Sequence, residues 1–192
     1  MDDHIIYEYP TALPAIIKAT ESLKFDMASE PRTGALIKTL AASKPNGKFL
    51  EIGTGTGLSA AWILEGMDSQ STLVTIDNDS RAQSVALEHL GEDPRFHVIC
   101  ANGGKWLEEN QSERYDFIFA DAWPGKFSHL ELALNILNKG GVYIIDDLLP
   151  QANWPEGHAP RLPELINQIE NMTNFTAVRM EWASGLMMVV RQ

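Results

Sequence analysis

Short apolar runs alternate with amphipathic stretches through most of the chain, the order expected of strands separated by helices. The apolar runs are Phe49-Leu50-Glu51-Ile52, then Leu73–Asp77, Phe96–Cys100, Tyr115–Asp121 and Val142–Asp147. Helical spacing marks Thr11–Leu23 through Leu13, Ile16, Ile17 and Leu23, and Gly34–Ala42 through Leu36, Ile37 and Leu40. A short helix follows Gly57 to about Met67, and Ala82, Val85, Ala86 and Leu90 form a stripe for which Asp79 is the candidate cap. Ser128-x-x-Glu131 reads as a capping box, opening a helix that turns Leu130, Ala133, Leu134 and Leu137 inward and closes at Lys139-Gly140. Leu162, Leu165, Ile166 and Ile169 mark a last helix. Phe175–Trp182 and Leu186–Val190, joined by Ala183-Ser184-Gly185, then form a hairpin. Pro150 to Pro160 is too irregular for an element and is placed to serve as a lid.

Between the first strand and its helix, glycine recurs at every second position in Gly53-Thr54-Gly55-Thr56-Gly57. Such a turn lets the backbone bend sharply and approach a ligand, at which the amides opening the next helix then point. A dinucleotide fingerprint would place its third glycine at position 58, which is Leu58, and no pyrophosphate-gripping lysine follows as in a P-loop. Glu51, two residues before the first glycine, repels phosphate and suits a ligand carrying ammonium or sulfonium groups. The next strand ends in Asp77, where a carboxylate can accept both ribose hydroxyl hydrogen bonds. The plainer alternative for Asp77 is a turn residue ahead of the Asp79 cap.

Glu51-x-Gly53-x-Gly55-x-Gly57 resembles the first motif of class I S-adenosylmethionine-dependent methyltransferases, and Gly57-Leu58-Ser59 resembles its form in the catechol and caffeoyl-CoA O-methyltransferases. The resemblance recurs along most of the chain. It implies one domain over residues 1–192, with helices in 1–45 covering the cofactor and a Rossmann-like α/β core in 46–192. The implied fold is the seven-stranded methyltransferase sheet, mostly parallel with an antiparallel last strand and helices on both faces. S-adenosyl-L-methionine is then expected against Met27, Glu51, Gly53, Thr54, Gly55, Gly57, Ser59, Asp77 and Asp121, with Asn102 and Gly103 around the adenine. The plainer reading of Asn102 is an ordinary turn residue. A homodimer is expected from the resemblance alone.

Asp121, Asp146 and Asp147 stand at the tips of the fourth and fifth predicted strands. Neighbouring strands lie only about 4.8 Å apart, and three carboxylates so close cannot all stay ionised without a cation. Hard oxygen donors suit Mg²⁺, Ca²⁺ or Mn²⁺, whose open positions could take the vicinal oxygens of a catechol-like acceptor and lower its hydroxyl pKa. The site resembles that of the divalent-cation-dependent O-methyltransferases, in which the run reads Asp-Asn and a lysine follows the first aspartate by three residues. Here Asp147 replaces the asparagine and the lysine, Lys126, comes two positions later. Lys126 and His158 are the candidate bases, and the resemblance places Asp121 beside the transferred methyl. The alternative is structural, since aspartates at strand ends cap helices and turns. Asp146 and Asp147 can share one site only if the strand has ended before them.

At 192 residues and 44% hydrophobic composition, the chain suits one compact domain able to bury a sizeable core. Its net charge of −11, from 15 basic and 26 acidic residues with no basic cluster, argues against a nucleic-acid partner. Met1-Asp2-Asp3-His4 is acidic where a secretory signal would be basic, and no apolar run reaches membrane-spanning length, so a cytoplasmic location is expected. A single cysteine, Cys100, excludes an internal disulfide and any cysteine-based zinc site, and is expected to be a buried strand residue. The leading expectation is O-methyl transfer to a small hydroxylated acceptor, aromatic given Trp123 and Trp154. The alternatives are a metal-independent methyltransferase acting on another small molecule or an RNA nucleotide, and a cofactor-binding protein without turnover.

Overall fold

The alternation of inward and outward positions along each apolar run builds a sheet with a core on either face. The structure, a computed structural model, describes residues 9–192. Among these, seven strands form one sheet: β1 (Lys48–Ile52), β2 (Thr72–Asp77), β3 (Phe96–Cys100), β4 (Tyr115–Ala120), β5 (Leu137–Ile145), β6 (Phe175–Met180) and β7 (Leu186–Arg191). Their order is β3-β2-β1-β4-β5-β7-β6. The pairs from β3 to β5 are parallel, and β7 lies antiparallel between β5 and β6. Strand order reverses between β1 and β4, which opens a crevice beyond the carboxyl ends of those strands.

In β1, Phe49 enters one core while Leu50 and Ile52 enter the other. In β4 the same split separates Phe117 and Phe119 from Ile118 and Ala120. The first core is covered by α1 (Leu13–Leu23), α2 (Pro31–Ala42), α3 (Leu58–Gly66) and α4 (Ser80–Leu90). The second is covered by α5 (Gly103–Glu109), α6 (Leu130–Asn135) and α7 (His158–Glu170). Both α1 and α2 open with proline in the first turn, where the missing N–H costs no helical hydrogen bond. α3 is buried along Ser59–Leu64, and its one-sided pattern is weak because α2 covers the face turned from the sheet.

Several expectations from the pattern fail for identifiable reasons. The helix expected from Ser128 lasts only from Leu130 to Asn135. Its cap position is His129 at φ 57° without a side-chain cap bond, so the capping box does not form. Leu137 already pairs with Tyr115, because a register shift beside Tyr115 and a left-handed Gly140 (φ 75°) let β5 begin early. Residues 103–109, to which the pattern assigned no element, form α5, capped by Asn102 Oδ1, which accepts from the Lys105 N–H at 3.0 Å. Cys100 is exposed rather than buried, since it ends β3, the edge strand. The hairpin strand β6 stops at Met180. No helix among the described residues is long and apolar enough to cross a membrane, and the acidic start at Met1–His4 lies outside the described residues.

Asp79 caps α4, its Oδ1 accepting from the N–H groups of Arg81 (2.9 Å) and Ala82 (3.1 Å). Asp79→Ala is expected to cost about 1 kcal/mol of stability in a denaturant titration. An unchanged midpoint would show that α4 is held by packing alone.

Candidate active site

β1 and β4 are hydrogen-bonded neighbours up to their last residues, so the chain must leave the sheet abruptly after Ile52. The Asp121 N–H donates to Ile52 O at 2.9 Å and the Gly53 N–H to Ile76 O at 2.8 Å. Gly53 bends away at φ 108°, and a Cβ there would sit 2.7 Å from Asp121 O, so only glycine fits. Gly57, at φ 89°, opens α3, and a Cβ there would sit 2.7 Å from Ala86 Cβ. Gly57 therefore serves the packing of α4 under the turn and does not line the crevice. Thr20 donates to Thr56 Oγ1 at 2.7 Å, tying α1 to the turn.

Asp77 ends β2 with both carboxylate oxygens in use. Oδ2 accepts from the Gly55 N–H at 2.8 Å and Oδ1 from the Asp79 N–H at 3.0 Å, so one side chain fixes the glycine turn and the start of α4. It stands between two cavities of about 290 and 300 Å³. Met27, Thr54, Gly55, Ser59 and Asp121 wall the first, Asn102 and Gly103 the second, and Gly53 belongs to both. Among the described residues, no lysine or arginine lines either cavity. The crevice offers carboxylates and backbone amides, which suit a cationic nucleoside and give a phosphate no counter-charge. A position left to glycine and a strand-end carboxylate above open volume fit the S-adenosyl group.

Glu51 is placed differently from the expectation. It lies on the Phe49 side of β1, fully buried beneath the turn, and it lines neither cavity. Thr75 donates to its Oε2 at 2.5 Å, the Thr54 and Thr75 hydroxyls meet at 2.7 Å, and Gln83 Nε2 donates to Thr54 at 3.0 Å. Glu51 Oε1 has no hydrogen-bond partner. Burial raises its pKa to about 7 although the nearby Ser59 and Thr75 hydroxyls favour ionisation, and the charge of Asp77 raises it further. Its role is to brace the turn from below, so it is removed from the set of cofactor contacts.

β5 ends at Ile145, and Asp147 turns into a left-handed conformation at φ 63°, so Asp146 and Asp147 both reach the wall of one small cavity of about 80 Å³. Asp121 joins them, its Oδ2 accepting from Ser29 at 2.8 Å. Asp146 Oδ1 accepts from the Ser184 hydroxyl and from the Asp147 N–H at 2.7 Å. Lys126, only 3% exposed, donates from Nζ to Asp146 O at 3.1 Å and lies 3.9 Å from Asp147 Oδ2. Desolvation, then the Asp146 charge, push the Asp121 carboxyl well above the usual range. Asp146 is pushed up to about 6 by burial and by Asp147, with Lys126 opposing both shifts. Among the described residues, no three carboxylate, histidine or cysteine side chains converge to hold a metal ion. With an ammonium among the carboxylates and a hydroxyl on two of them, the donor set does not fit a divalent cation.

His158 is the first residue of α7 and is 2% exposed, not a surface lid residue. Its ring stacks on Trp154 (4.3 Å between centroids) and meets Phe127 edge-on. Nε2 lies 3.0 Å from Asp147 O, and since a carbonyl can only accept, Nε2 carries the proton and Nδ1 the lone pair. Burial, with help from the Lys126 charge, lowers its pKa, so the ring is neutral at pH 7. Sequence reasoning missed Phe25, Ser29 and Ser184, which reach the site only through tertiary contacts. It also missed Asn153, which donates to Asp26 O at 2.5 Å and joins the 148–157 loop to the segment before α2.

Residues 50–148 match the family described as a methyltransferase domain. The chain belongs to that methyltransferase family. A protein of Mycolicibacterium vanbaalenii, provisionally named an O-methyltransferase, is 30% identical over 146 residues, covering 72% of this chain and 65% of the relative. A counterpart in Mycobacteroides abscessus with the same provisional name is 28% identical over 191 residues, covering 92% and 88%. The match thus spans slightly under two thirds of the first relative's length and most of the second's. The crystal structure of the O-methyltransferase from Bacillus cereus, solved in complex with SAH, superposes with a TM-score of 0.84 over 97% of this chain and 93% of that one at 20% identity. This likeness covers the sheet order and both helical layers of the methyltransferase fold described above.

Proposed function

We propose that this methyltransferase, read as one domain over the whole chain, carries out S-adenosylmethionine-dependent O-methylation of a small hydroxylated acceptor. The reading rests on one observation: the glycine turn and Asp77 border two cavities lined by no lysine or arginine among the described residues, and the crevice continues past Asp121 to Lys126 and His158. Two relatives provisionally named O-methyltransferases support it. Trp123 and Trp154 on the wall of the second half of the crevice favour an aromatic acceptor.

When bound, the cofactor supplies a methyl group on a positively charged sulfur. Asp77, holding the Gly55 amide, is the residue to receive the ribose hydroxyls, and the Asp147 carboxylate on the same wall favours positive charge beside it. His158 Nδ1 takes the acceptor's hydroxyl proton as its oxygen forms the bond to the methyl carbon and the carbon–sulfur bond breaks. The departing sulfur would keep the electron pair of that bond, and His158 passes the proton on to solvent.

Calorimetry with S-adenosylhomocysteine and with NAD tests the cofactor, and a panel of phenols, amines and acids tests the acceptor. S-adenosylhomocysteine is expected to bind and NAD is not. Asp77→Ala should weaken S-adenosylhomocysteine binding by about 1–3 kcal/mol, the cost of stranding its hydrogen-bonding partners. Unchanged affinity would remove Asp77 from the site, and binding without methylation of any phenol would leave a cofactor-binding protein without turnover.

A further inference from the structure

The loop after β4 carries a buried cation to the centre of the acidic cluster. The N–H groups of Lys126, Phe127 and Ser128 all donate to Trp123 O, and the Gly125 N–H donates to Ser128 O at 2.7 Å, so Trp123–Ser128 closes on itself. Gly125 sits at φ 83°, and a Cβ there would lie 2.7 Å from the Tyr143 hydroxyl, which itself donates to Gly125 O at 2.6 Å. This closure, anchored on β5 by Tyr143, drives the Lys126 side chain inward rather than to solvent. Burying an ammonium is costly unless carboxylates and a hydrogen-bond acceptor surround it. Here the Asp146 carbonyl takes the hydrogen bond and Asp147 the charge, while Asp121 lies within the same electrostatic field.

We propose that the Lys126 ammonium replaces a divalent cation at the tips of β4 and β5, so that the site takes an acceptor with a single hydroxyl and needs no metal. Two geometric features support this. The carboxylates of Asp121 and Asp146 are each held by a hydroxyl from a different element, Ser29 before α2 and Ser184 in the β6–β7 turn, which keeps them from turning together onto an ion. In addition, Lys126 Nζ stands 3.1 Å from Asp146 O and 3.9 Å from Asp147 Oδ2 and offers only donors, so it cannot chelate vicinal oxygens as an open coordination sphere does. A phenol with one hydroxyl therefore meets the site as well as a catechol does. The consequence for the acceptor rests on the methyl-transfer reading above, whereas the exclusion of metal rests on the cluster alone.

Mn²⁺ binding, followed by its electron paramagnetic resonance signal on the full chain after chelator treatment, tests the exclusion directly. The wild-type protein is expected to show no saturable site tighter than about 1 mM, and Lys126→Met, which keeps the length of the side chain without its charge, should bind Mn²⁺ at least about tenfold more tightly. Two results overturn the proposal: a tight site in the wild type that Asp146→Asn abolishes, or a folded Lys126→Met with no gain in Mn²⁺ affinity. Should Lys126→Met fail to fold, the wild-type titration decides alone, weak binding supporting the proposal and tight binding refuting it. S-adenosylhomocysteine calorimetry on the same samples separates this question from the proposed function, because loss of cofactor binding would defeat that function and leave the Mn²⁺ result standing.

Discussion

Raising the pH from about 4.5 to about 7 is expected to cost the wild-type protein up to about 3 kcal/mol of stability that Glu51→Gln retains. The sign follows from the direction of the shift. In the unfolded chain Glu51 ionises near its ordinary value of 4.5, whereas in the fold it holds its proton to about 7. Between those values the native state binds more protons, so stability falls as pH rises, and the loss is complete above the folded value. Asp146, raised to about 6, and Asp121, raised well above the carboxylate range, act in the same direction. The lowered pKa of His158 acts in the opposite direction over part of this range, so the Glu51 contribution is read from the difference between wild type and variant. The substituted glutamine would keep the oxygen that accepts from Thr75 and bring no charge to a site where Oε1 of Glu51 has no partner. Thermal midpoints of the two proteins should coincide near pH 4.5 and diverge towards pH 8, with the variant higher. Parallel profiles would show that Glu51 is ionised in the fold and that the turn above it rests on a buried charge.

The position of Glu51 was readable from the sequence by a rule that its motif obscured. Strand alternation puts Glu51 on the same face as Phe49, towards α3, and Phe49 proved to be core. The charge near the glycines suggested a ligand contact, but the backbone geometry points that side chain into the protein. The strand tips were legible because an apolar run ending in aspartate has few other uses, and Asp77, Asp121, Asp146 and Asp147 all stand at or just beyond the carboxyl ends of strands. The boundary between α6 and β5 was not. Leu130, Ala133, Leu134 and Leu137 keep a helical spacing across a chain that has already become a strand, and Lys139-Gly140 mimics a helix end. Ser29 and Ser184 carry no local signal at all, since their meaning comes from segments that the sheet brings together from 92 and 38 residues away. The same holds for Lys126. Despite its delay by two positions it stood as a candidate base, whereas the closed Trp123–Ser128 loop turns its side chain onto Asp146 O and towards Asp147.

On the proposed O-methylation, proton removal falls to His158, and His158→Gln is expected to lower kcat by about 10²- to 10⁴-fold with affinity for S-adenosylhomocysteine unchanged. Lys126 is buried, with its nitrogen committed to Asp146 O at 3.1 Å and facing Asp147 Oδ2 at 3.9 Å. His158 offers a lone pair. Donation from Nε2 to Asp147 O fixes the tautomer, Trp154 and Phe127 fix the ring, and burial keeps it neutral at pH 7. Glutamine can still donate to Asp147 O, so the variant removes the basic nitrogen while sparing the contact that positions the loop. Because a phenol ionises by itself near about pH 10, the deficit should shrink as the assay pH rises towards that value, whereas damage to the fold would not be repaired by alkali. Trp154→Leu serves as the contrast: it removes the stacking partner and keeps the base, so it should raise KM for the acceptor more than it lowers kcat. A His158→Gln protein that turns over at the wild-type rate at pH 7 would assign the proton to solvent and leave His158 as a packing residue between Asp147 and Trp154.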